Sequence, residues 1–223
     1  IGVDNCTNNA TLVSGAFINE LNYSPNNVHI LNEGDGPTAD EVLDTFINVL
    51  IPKINEKDTL IVYYSGQSCS VSEQFKFCTK GAYLSHKDFI TKCINKVKTQ
   101  RVVIVIDVCY SGDFNTSKSK DKPGRVVDAG DITAFLKPSG KICFFASQAK
   151  EIAPGSSAFT HAFVKSIEKI VRDNEEGLLS VSPLETFAKL TKIMKNDKDN
   201  PPLPRLCGVD EYTDFDIGPI AVD

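Results

Sequence analysis

Two short apolar runs that each stop abruptly at small and polar residues constrain this chain more than any other feature. The first lies in DTLIVYYSGQS (58–68), the second in RVVIVIDVCYSGDF (101–114). A parallel strand buried on both faces reads as a continuous apolar run, and it delivers side chains to the carboxyl edge of the sheet where it ends. The second run ends on Asp107-Val108-Cys109-Tyr110-Ser111-Gly112, which brings a thiol to that edge. The first ends on Tyr64-Ser65-Gly66-Gln67-Ser68, which brings a carboxamide.

The rest of the chain alternates in the same style. Ile1–Asp4 reads as the tail of a first strand, Thr11–Leu21 as a helix and Val28–Leu31 as strand two. Thr38–Leu50 places Val42, Phe46 and Val49 on one helical face and ends before Pro52. Thr59–Tyr64 is strand three. A helix from Ser85 to Val97, with Ser85 as its cap, leads to strand four at Val102–Ile106. Ile142–Ala146 is strand five, Ala158–Val171 and Pro183–Met194 are amphipathic helices, and Asp214–Ile220 supplies a last strand. Residues 115–131 form a polar stretch rich in Lys, Ser, Gly and Asp, read as a mobile linker loop inside a single domain spanning 1–223. Alternating strands and helices predict an α/β fold with a mostly parallel six-stranded sheet and helices on both faces.

Composition narrows the function classes. The chain has 223 residues, with 41% hydrophobic and 24% charged, ordinary for a globular domain with a substantial core. A net charge of −5 gives no footprint for nucleic acid or an anionic membrane surface. No apolar run approaches the roughly 20 residues needed to span a bilayer. Seven cysteines is an odd number, which fits free thiols in a cytoplasmic setting better than a fully bridged scaffold, although Cys69 and Cys78 could close a loop. Asn5, Asn9, Asn22 and Asn115 head Asn-x-Ser/Thr triplets, several of which an Asn-rich sequence produces by chance.

The ordered set of motifs resembles the caspase-like cysteine peptidases, in particular the metacaspase and bacterial caspase-homologue branch. The resemblance is carried by Tyr-Ser-Gly after strand three, Asp-x-Cys-x-Ser-Gly after strand four and Phe145-Ala146-Ser147-Gln148 at the exit of strand five. Ser157-Ala158-Phe159-Thr160-His161-Ala162-Phe163 at a helix start and Leu12-Val13-Ser14-Gly15-Ala16 in the first helix add to it. It implies a caspase-like α/β/α sandwich covering almost the whole chain.

It also implies a mechanism of thiolate nucleophile, histidine and backbone oxyanion donors. Cys109 matches the nucleophile, and the backbone N–H groups of Cys109 and Ser68 match the oxyanion donors. Gln67 stands where the family has its histidine, and Ser68 replaces the glycine that follows it. A carboxamide donates and accepts hydrogen bonds but takes up no proton near neutral pH. The thiol would then stay near a free pKa of about 8.5, and loss of a positioned acid–base group costs about 10²–10⁴-fold. Among the histidines, His86 is the candidate substitute base, because the first turn of a helix joining parallel strands faces their carboxyl edge. His29 and His161 read as structural.

Metacaspase-like relatives cut after Arg or Lys using an acidic pocket. Asp107 and Ser65 match that pocket, and the third acid aligns with Asn19. Residues 69–81 hold only Glu73 as an acid, too few carboxylates for the family's calcium loop, so no metal or cofactor is expected. The segment Lys118–Arg125 resembles the family's processing linker. Three expectations follow: an inactive or impaired homologue that binds basic peptides, or an active caspase-like relative, and regulates without cutting; an Arg/Lys-specific cysteine endopeptidase with an unorthodox base; or a purely structural domain of a larger assembly.

Overall fold

A central six-stranded sheet runs in the order β3-β2-β1-β4-β5-β6. Its strands are β1 (Thr59–Val71), β2 (Gln74–Thr79), β3 (Ala82–Ser85), β4 (Arg101–Tyr110), β5 (Lys141–Phe145) and β6 (Arg205–Cys207). The computed structural model describes residues 3–31, 35–71, 74–110, 140–146, 158–173, 181–198, 203–207 and 215–218.

β1, β4 and β5 are parallel neighbours, as their apolar runs require. The other three strands pair antiparallel, so the sheet is mixed rather than wholly parallel. The difference comes from two places. β1 continues seven residues past Tyr64 and folds back as the β2–β3 hairpin, turning at Gly81 with φ +71°. Phe75 and Phe77 alternate with polar residues, the period expected of a half-buried strand. The last strand is Arg205–Cys207, whereas residues 215–218 take no strand conformation.

Two layers of helix cover the sheet. α1 (Val3–Asn19), α5 (Ala158–Asp173) and α6 (Pro183–Lys195) lie on one face, α2 (Ala39–Asp44), α3 (Ile51–Lys53) and α4 (His86–Lys92) on the other. β4 shows the logic most clearly. Val103 and Val105 join Phe17, Phe144, Phe163 and Leu190 in one apolar cluster, while Val102, Ile104 and Ile106 join Phe75, Phe89 and Ile90 in the other. All five β4 residues are at most 2% exposed, and burying each such side chain contributes about 1.5–3 kcal/mol.

The helix starts follow their capping residues. The Thr38 hydroxyl accepts from the Glu41 amide while the Glu41 carboxylate accepts from the Thr38 amide, a reciprocal cap. Ser85 accepts from the Asp88 amide at the start of α4, as expected. Pro52 does not end the second helical stretch. Thr45–Leu50 widens to a π-helix, the Ile51 amide reaches the Phe46 carbonyl, and the donor that Pro52 lacks is not called for.

Two upstream expectations fail. Val3 and Asp4 belong to α1, not to a strand, because Cys6, Ala10, Val13 and Phe17 extend the helical spacing through the polar first turns. Val28–Leu31 pairs with no strand among the described residues, and His29, Ile30 and Leu31 are exposed. Strand propensity without an available edge does not make a strand. The proposed linker at 115–131 and Ser147–Ser157 lie outside the described residues.

Candidate active site

The extra length of β1 and β4 beyond their apolar runs builds the site. Register carries the parallel pairing from Thr59↔Arg101 through Ser65↔Asp107 and Gln67↔Cys109 to Ser68↔Tyr110. Sequence had placed Gln67 and Cys109 at the ends of two strands; the fold makes those strands neighbours and the two residues opposite partners. Cys109 is described by its backbone alone. Gln67 is exposed, and its carbonyl accepts a hydrogen bond from the Tyr64 hydroxyl at 2.7 Å. The same hydroxyl lies 3.0 Å from the Cys78 carbonyl, bridging β1 to β2 one step before their ladder begins at Ser68↔Phe77. The Tyr64 side chain crosses Gly66 so closely that a Cβ there would stand 2.5 Å from the hydroxyl oxygen.

Ser68 is not at a strand end. It is 1% exposed and flanked by Tyr110 on one side and Phe77 on the other. A residue in that setting has its backbone groups directed along the sheet plane, not into a cleft.

One residue pair down from Gln67 and Cys109, Ser65 and Asp107 face α1 and α5. The Asn9 amide of α1 donates to the Ser65 hydroxyl at 3.0 Å. Thr160, on the first turn of α5, donates its hydroxyl to Asp107 Oδ2 at 2.5 Å and its backbone N–H to the same carboxylate. Tyr63 Oη lies 2.6 Å from Thr160 Oγ1. Burial raises the Asp107 carboxyl above its ordinary range, opposed by the two Thr160 hydrogen bonds and by the nearby His161. Burial likewise pushes the Tyr63 phenol up, with the Asp107 charge adding to it, so the phenol keeps its proton.

The remaining candidates lie elsewhere. Asn19 is exposed at the far end of α1, ten residues past Asn9, which is about 15 Å of helix. His86 does start α4, but its ring lies against β2, one strand away from β1 in the sheet. Its ring is 4% exposed, it packs on Phe75, and Nδ1 donates to the Phe75 carbonyl at 2.7 Å. His29 is exposed in the unpaired Val28–Leu31 stretch. No disulfide joins Cys69 to Cys78. Sequence reading assigned no role to Asn9, Tyr63 or Thr160. Period two put Tyr63 on the Ser65 face, and Thr160 sat inside a quoted motif, so both carried a signal. Asn9 carried none, since only tertiary packing brings it to Ser65.

A family model for the caspase domain matches residues 3–209. The chain belongs to the caspase-domain family. It is thus a homologue of cysteine peptidases built on the caspase-like α/β fold. No individual curated protein matches the chain.

Proposed function

We propose that this caspase-domain protein is a metacaspase-like homologue with a disabled catalytic dyad, which binds basic peptide segments or an active relative without cutting them efficiently. The observation that carries this reading is the pairing of Gln67 with Cys109. A carboxamide stands at the position nearest the candidate nucleophile, and it cannot shuttle a proton to or from the thiol or the leaving amine. The placement of Ser68 in a sheet interior supports the same reading, since an oxyanion donor there would first have to leave its strand surroundings. Binding of a basic side chain is supported by Asp107, a half-buried carboxylate beside Ser65.

The rival is an Arg/Lys-specific endopeptidase using His86 as base. Its imidazole is committed to the Phe75 carbonyl across the hairpin, so this reading requires α4 to rearrange.

Turnover of a fluorogenic peptide ending in Arg or Lys decides between them. The expected result is no turnover by the native chain and a gain in the Gln67→His, Ser68→Gly double variant. Turnover by the native chain that Cys109→Ala abolishes would establish the endopeptidase instead.

A further inference from the structure

Asp107 does not stand alone beneath the site; it terminates a line of polar groups that crosses three elements. Its carboxylate only accepts, so the Thr160 hydroxyl must spend its single proton on Oδ2. Thr160 Oγ1 can then only accept from its other neighbour, the Tyr63 phenol at 2.6 Å. That uses the phenol's proton. Both donors therefore point the same way, from Tyr63 on β1 through Thr160 on α5 to the carboxylate on β4. Beside this line, the Ser65 hydroxyl oxygen accepts from the Asn9 amide of α1.

We propose that Tyr63 and Thr160 are positioning residues for recognition of a cationic side chain, holding the Asp107 carboxylate ionised and in one orientation beside Ser65. The inference rests on the reading of Asp107 as the acid that meets a basic residue. Chains of hydrogen bonds polarise one another, and bonds to a buried carboxylate strengthen its ionised form. Thr160 is fully buried, and its hydroxyl holds Oδ2 of the Asp107 carboxylate in place. Tyr63 donates to Thr160 and not to the carboxylate. It acts by denying Thr160 any other orientation.

The test compares a fluorescein-labelled Ala-Ala-Arg amide with its citrulline counterpart, which has the same shape and no charge, by fluorescence anisotropy. The native chain is expected to prefer arginine. Tyr63→Phe and Thr160→Val should each weaken arginine binding about fivefold, the worth of one such hydrogen bond, and leave citrulline binding unchanged. Thr160→Ser, which keeps the hydroxyl, should retain the preference. A merely structural role would move both peptides together. Full arginine preference in Tyr63→Phe and Thr160→Val overturns the positioning role while the Asp107 reading stands. No arginine preference in the native chain overturns that reading, and the inference with it.

Discussion

At Gly66 the absence of a side chain has a specific cause. A Cβ would stand 2.5 Å from Tyr64 Oη and 2.7 Å from Cζ, and the ring cannot swing away cheaply because its hydroxyl is held by two carbonyls on different strands. Tyr64 thus ties down the Gln67 carbonyl from the opposite side of the glycine. Gly66→Ala is expected to destabilise the chain by about 1–3 kcal/mol, the usual cost of forcing extra volume into a packed place. Urea unfolding checks this, and a change under about 0.5 kcal/mol would mean that the ring relaxes freely. At this scale the sequence was half legible. The strand-end motifs announced Ser65, Gln67, Asp107 and Cys109 because each follows an apolar run. On α1 it is Asn9 that meets Ser65, ten residues before Asn19, and no pattern in one sequence states which end of a helix meets a given strand.

The elements that sequence read well are those with long periodic faces. α5 and α6 begin where expected and run two residues and one residue beyond their expected ends, and β4 surrounds its predicted apolar run. The failures are short or edge pieces. Val28–Leu31 has the composition of a strand and no partner, and the β2–β3 hairpin was passed over although Lys80-Gly81 separates two alternating segments. β1 shows why pairing matters as much as pattern. Residues 59–67 are laddered to β4, but β2 meets β1 only from Ser68 to Val71. Among the described residues the other edge of 59–67 has no strand on it. Ile61, Val62 and Tyr63 are accordingly only half-buried, while their β4 neighbours are sealed. Hydrogen exchange should therefore show alternate amides of 60–66 exchanging far faster than those of 102–106. Equal protection along both strands would place a further partner on that edge.

Across the whole molecule, the two apolar clusters make the sheet a partition, with the carboxylate of Asp107 at the margin of one of them. Burial raises that carboxyl above the ordinary aspartate value of 3.8 despite the Thr160 bonds. An acid whose folded pKa is raised holds its proton better in the folded chain than in the unfolded one. The associated stability is present below the unfolded value and is lost as pH rises through the folded value. Asp107→Asn removes that loss. The variant should be more stable than the native chain at pH 7, and the gap should close as pH falls below 3.8. Thermal unfolding across a pH series measures it, and a gap that ignores pH would show that the carboxyl does not titrate on folding. The global architecture was legible because two continuous apolar runs and two amphipathic helices leave few alternatives. The direction of the outer strands was not, since three residues of β6 and the hairpin carry too little pattern to state their polarity.

β1 is one uninterrupted strand serving two masters. Its first nine residues pair with β4 alone, its last three with β2 alone, and Ser68 with both, so residue 67 borders the joint. Tyr64 rivets that joint from below and the Ser68↔Phe77 pair clamps it from above. Disturbances in the hairpin reach the position opposite Cys109 through the backbone, without any hairpin side chain having to enter the cleft.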